Sequence, residues 1–181
     1  MKKKYVEDYK KGEKGYEYIG GWYETALSAK ELRTMFLSYF AAAAMASVLL
    51  LTELNLQNVG SRVFFILIPC VCQLLPIAGF WRGGCVLFRI SRTQQNVQEV
   101  FCMKRSEYDC SVKGPYSASL WLMFLSGFIV LADLLLLFFQ KPEIWPVQEI
   151  IFAVCTAGIF LSGLFLWRRS SALRKATGKK E

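Results

Sequence analysis

Histidine is absent from the chain. That removes Ser–His and Cys–His nucleophilic systems and most catalytic zinc sites. A phosphate-cradling glycine loop is missing too: Arg82-Gly83-Gly84 is too short, and no Lys-Ser or Lys-Thr follows it. Charge is missing over long stretches. Residues 34–52, 63–81 and 150–167 hold no Asp, Glu, Lys or Arg, and residues 114–140 hold only Asp133. A water-soluble enzyme, a disordered chain and a secreted disulfide scaffold are all excluded by this distribution.

What remains is 54% hydrophobic and carries a formal charge of +8. Each uncharged run is close to the ~20 residues that cross a bilayer as a helix. In lipid the backbone must satisfy its own polar groups, so the runs are expected to be helices. The expected fold is all-α: a polytopic membrane protein with four transmembrane helices, arranged as two parallel helical-hairpin repeats. It divides into a basic, aromatic N-terminal segment (1–33), a first hairpin (34–82), a linker (83–116), a second hairpin (117–167) and a basic tail (168–181).

Orientation follows from the basic residues. All of the 22 Lys and Arg except Arg62 and Lys141 fall before the first run, between the second and third, or after the fourth. Both termini and the linker are therefore expected in the cytoplasm, with the chain multi-pass in the cytoplasmic (plasma) membrane. Trp22, Tyr23, Trp81, Tyr116, Trp121 and Trp167 fall near the inner headgroup level, and Trp145 near the outer one. No N-terminal signal peptide is expected, because the charged leader before the first run is too long. The positive charge reads as a topology signal with affinity for anionic lipid headgroups, and no nucleic-acid partner is expected.

The repeat rests on particular residues. Met35-Phe36-Leu37-Ser38-Tyr39-Phe40 opens the first run, and Met123-Phe124-Leu125-Ser126-Gly127-Phe128 lies in the third. Trp81-Arg82 closes the second run and Trp167-Arg168 the fourth, with Leu87 and Leu173 following at equal distance. Two hairpins of the same orientation make a parallel repeat about an axis along the membrane normal. In the flanks, Tyr16 to Glu24 contains aromatics around Gly20-Gly21 and allows either a small hairpin or a segment lying along the headgroups. Ser28-Ala29-Lys30-Glu31 is a capping-box pattern that starts the first helix near Ser28. The second helix is expected to run on past Arg89, and the fourth past Arg168.

Small residues at four-residue spacing mark faces where helices approach closely: Ala42/Ala46, Ala43/Ser47, Gly79/Gly83, Ala153/Ala157 and Gly158/Ser162. Six cysteines are present. Cys70 and Cys72 have the wrong spacing for a membrane thiol oxidoreductase, and all six are read as packing residues. Pro69 and Pro76 predict a kinked second span.

Asp133 is the informative residue. A carboxylate near a helix centre costs about 2.5–3.5 kcal/mol, so it should face protein or water. Its candidate partners are Gln73, Thr156 and Arg62, the four together forming a candidate ion or ligand path; the structural reading is a protonated or hydrogen-bonded Asp133 that holds helices or subunits together. The functional expectation is a non-enzymatic protein that works by association, as an accessory or assembly subunit of a membrane complex. The alternative is a small oligomeric transporter or channel in which Asp133 is a proton- or cation-linked site. Partners are the lipid bilayer and its anionic headgroups, with a second copy or another membrane protein. No cofactor, metal or catalytic residue is expected.

Overall fold

The computed structural model describes residues 5–12, 15–56, 67–94, 101–140 and 147–179. In chain order the elements are β1 (Tyr9–Gly12), β2 (Gly15–Tyr18), β3 (Trp22–Thr25), α1 (Ala29–Leu56), α2 (Ile68–Cys72), α3 (Leu74–Gln94), β4 (Phe101–Lys104), α4 (Arg105–Tyr108), a π-helical turn (Asp109–Lys113), α5 (Gly114–Gln140), α6 (Val147–Ala176) and β5 (Thr177–Lys179). Four helical stretches are long and apolar enough to cross a membrane: Ala29–Asn55, Ile68–Thr93, Arg105–Leu135 and Val147–Ala176.

Local chemistry sets the boundaries. The Ser28 hydroxyl accepts from the Glu31 backbone N–H at 3.3 Å, while the Ser28 N–H donates to the Glu31 carboxylate at 2.8 Å. This reciprocal cap begins α1 at Ala29 as the sequence predicts. The break between α2 and α3 falls at Gln73. Pro76 has no N–H to give to the Cys72 carbonyl, so one rung of the ladder is lost. The Gln73 N–H donates to both Pro69 O and Cys70 O at 3.1 Å, and Ile77 N–H to Gln73 O at 3.3 Å resumes the helix. α6 continues through the basic residues to Ala176, as expected of the tail.

Each long helix packs on the next in the chain, and α6 closes the ring against α1. On α1 the buried positions are Leu32, Met35, Phe36, Tyr39, Ala42, Ala43, Ala46 and Leu50, one stripe at helical spacing. Tyr39 meets Phe80 edge-on at 6.1 Å. α3 and α5 approach so closely that a Cβ on Gly83 would lie 2.6 Å from Pro115 Cγ and 3.1 Å from the Cys110 carbonyl.

The end of the bundle that carries both termini is not all-helical. β3 is the centre of a three-stranded antiparallel sheet, with β4 on one side and β5 on the other. Trp22 pairs with Lys104 and Thr25 with Phe101, while Tyr23 pairs with Lys179 and Thr25 with Thr177. The N-terminal segment, the linker and the tail are thus hydrogen-bonded into one layer. Phe101, Met103 and Thr25 are buried beneath it, and Tyr23 stacks on Tyr108 at 4.1 Å. The hairpin sits earlier than Gly20-Gly21. It joins β1 to β2 with Gly12 opposite Gly15, and Gly15 adopts φ +132°, open to glycine but not to other residues. Arg105 fastens the hairpin through an ion pair to Asp8 at 3.4 Å and a backbone hydrogen bond to the Tyr18 hydroxyl at 2.9 Å. Burial pushes the Tyr18 phenol up from its ordinary value, and it donates to the Gly21 carbonyl at 2.8 Å.

Candidate functional site

The outer face of the helices is apolar, unlike that of a water-soluble bundle, and several polar groups lie inside beside the apolar core. Leu75, Phe124, Val154, Leu161 and Phe138 point outward and are exposed, whereas Glu53, Gln73, Ser119, Ser126, Asp133, Thr156 and Ser162 are buried. Such an outer face suits the interior of a bilayer, where polar groups are kept among the helices.

The densest polar contact is centred on Glu53, which is fully buried. Thr156 on α6 donates its hydroxyl to Glu53 Oε1 at 2.5 Å, and the Cys70 thiol on α2 lies 3.5 Å from Oε2. Three spans therefore converge on one carboxyl. Gln73 lies three residues beyond Cys70, on the same helical face. It is also fully buried, and neither its amide oxygen nor its amide nitrogen makes a hydrogen bond. The Thr156 hydroxyl has a second acceptor, the Phe152 carbonyl at 3.0 Å.

Asp133 is buried, with 4% of its surface exposed. Gly158 packs on Leu49 and Gly163 on Met123. Followed outward at about 1.5 Å per residue, these contacts bring Asp133 and Glu53 to within about one helical turn of the same depth. The two carboxyls thus occupy one polar layer toward the end of the bundle away from the sheet. The Thr156 hydroxyl goes to Glu53 and not to Asp133, and the Gln73 amide bonds to neither. Arg62 lies outside the described residues.

The small-residue faces are mostly used inside the chain. Ala42, Ala43 and Ala46 are buried, Ser47 is half-buried, Gly79 meets Ala118, and Ser162 is buried and donates to the Gly158 carbonyl at 2.8 Å. Ala153 is half-buried and Ala157 is exposed on the lipid-facing side of α6, so that pair forms no internal seam. All six cysteines are free thiols, and Cys70 and Cys155 are buried. Cys70 does more than fill space, since it faces the Glu53 carboxyl.

Glu53 was the residue that sequence reasoning missed. It ends an apolar run and resembles an interfacial charge. Its signal was positional: the stripe 39, 42, 46, 50 continues to 53 at helical spacing. Chemically the layer offers a carboxyl, a hydroxyl, a thiol and an amide in an apolar surround. That set can hold a proton or a small cation, or lock helices together. Among the described residues no cluster of three or more Cys, Asp and Glu has metal-binding geometry. Comparison with protein-family models, curated proteins and solved structures finds no match.

Proposed function

We propose that the protein acts by association, as a non-enzymatic accessory or assembly subunit of a membrane complex. The observation that carries this reading is the sheet β4-β3-β5. It turns two termini and a linker into one built surface outside the apolar helices. Its outer strands β4 and β5 pair only with β3 among the described residues, the arrangement that strand addition by a partner uses. The basic-residue count puts this surface in the cytoplasm, with the chain multi-pass in the plasma membrane. The Met-Phe-Leu-Ser match supports treating the two hairpins as parallel repeats, and another membrane protein completes the assembly. The test is gentle purification of the full chain beside Glu24→Pro, which interrupts the central strand. A stoichiometric heterologous subunit that is lost in Glu24→Pro, with helix content unchanged, supports the reading. A homo-oligomer of the parent with no other subunit contradicts it.

A second reading is favoured by the buried Glu53 contact. Here the protein is a small oligomeric transporter or channel whose proton- or cation-linked site combines Asp133 with Glu53, Thr156 and Gln73. Ion flux in proteoliposomes that is abolished by Asp133→Asn and by Glu53→Gln supports it. Flux unchanged in both variants, or absent in the parent, removes it.

A further inference from the structure

A cavity of about 750 Å³ opens at the sheet end of the bundle, between the N-terminal hairpin, α3 and the start of α5. Its walls include Arg82, Lys113, Tyr5, Ser106, Ser117 and Asp109. Arg82 directly follows the second apolar run and Lys113 directly precedes the third, so both sit at headgroup depth. Both are exposed, and among the described residues neither has an ion-pair partner. The acidic group in the wall, Asp109, accepts a hydrogen bond from the Tyr5 hydroxyl at 3.0 Å. Arg82, Lys113, Ser106 and Ser117 thus line a space large enough for a substituted phosphate. The π-helical turn Asp109–Lys113 sets Lys113 at the rim, and such turns recur at functional sites. The close approach of Gly83 to Pro115 holds the two helices that form the walls in fixed relation.

A second, shallower groove of about 280 Å³ begins at the same Ser117 and runs outward past Leu120, Trp121 and Phe124. These positions share one face of α5, and Trp121 and Phe124 are 58% and 64% exposed. A cationic, hydroxyl-lined pocket therefore continues into an apolar groove that points into the bilayer. That is the shape of a phospholipid: charged phosphate at the surface, acyl chain beneath it.

We propose that this pocket and groove bind one anionic phospholipid, with its phosphate held by Arg82 and Lys113 and an acyl chain lying along Leu120, Trp121 and Phe124. The site rests on the four helices crossing a membrane. It does not depend on whether the protein acts by association or by transport. The phosphate chemistry would also admit a free phosphate ion, and the groove is what favours the lipid.

The test uses the full chain in nanodiscs of phosphatidylcholine, titrated with phosphatidylglycerol and read by native mass spectrometry. The parent should retain one phosphatidylglycerol. Arg82→Gln/Lys113→Gln should weaken retention about thirtyfold, the effect of two juxtamembrane charges. Arg168→Gln/Arg169→Gln, with the same loss of net charge, should change it less than about threefold. Phe124→Ser should weaken binding of long-chain lipid, with glycerol phosphate and inorganic phosphate failing to compete. Equal losses in the two charge pairs would overturn the proposal in favour of diffuse attraction to the surface. Competition by inorganic phosphate with no effect of Phe124→Ser would overturn it in favour of a soluble phosphate site. Should the Arg82/Lys113 pair fail to fold, Arg82→Lys and Lys113→Gln singly give the same comparison, with full retention in Lys113→Gln counting against the site.

Discussion

Thr156→Val is the sharpest probe of the intramembrane layer. The substitution keeps shape and removes the hydroxyl that donates to Glu53 Oε1. A buried acceptor left without its donor costs about 1–3 kcal/mol. Interhelical hydrogen bonds in membrane proteins are worth less, about 0.6 kcal/mol on average and about 1.7 at most. The Cys70 thiol at 3.5 Å is only a weak substitute donor, so the loss should fall near the upper membrane value. The expected destabilisation is about 1–2 kcal/mol, or about 2–8 °C in midpoint for a chain of this size. Glu53→Met should behave differently. It removes the carboxyl itself, and the Thr156 hydroxyl keeps the Phe152 carbonyl at 3.0 Å as acceptor. Only the weak Cys70 thiol donor loses its Glu53 acceptor, so Glu53→Met should lie within about 0.5 kcal/mol of the parent or above it. The double variant should be more stable than Thr156→Val alone. Reversible unfolding in mixed micelles, followed by circular dichroism, measures all four proteins. Equal and additive losses from the two single changes would refute the reasoning, because they would mean that the groups do not interact.

Gln73→Leu removes a fully buried amide that has no hydrogen bond, and should raise stability by about 1 kcal/mol in the same unfolding assay. Gly83→Val forces a side chain into Pro115 and the Cys110 carbonyl, and should cost about 1–3 kcal/mol of thermal stability. Gly127→Ala, with nothing within 4 Å of the added carbon, should leave the midpoint unchanged or raised. Ser28→Ala loses the reciprocal cap on α1, and should cost about 1 kcal/mol and speed amide exchange in the first turn.

The spans were legible because charge brackets each apolar run. The run at 114–140 coincides with α5, and the Ser28 cap places the start of α1. The kink at Gln73 follows from Pro76, whose missing N–H is a property of the residue and not of its surroundings. The sheet was not legible. β4 has four residues and β5 three, too few to show an alternating pattern, and their partner β3 is far away in sequence. Gly20-Gly21 is the stronger turn signal by composition, yet the antiparallel pair is β1 with β2, with Gly12 opposite Gly15. The polar layer was half legible. Asp133 stood out because nothing around it is charged, but Glu53 sits beside polar Asn55 and resembled the end of a span. Which hydroxyl bonds to which carboxyl depends on helix register, and hydropathy carries none of that information.

The N-terminal segment, the linker and the tail meet in one sheet at one end of the four-helix bundle. Glu24 faces the native Cys102 across the β3–β4 pair, with the thiol 3.7 Å from the Glu24 carboxylate. Glu24→Cys in the full chain, oxidised in native membranes and mapped by mass spectrometry, tests this directly, since paired positions lie within disulfide reach. The expected product is a disulfide between position 24 and Cys102 in the membrane-embedded protein. A free thiol at position 24 under those conditions, or a bridge from it to Cys85 instead, would contradict it.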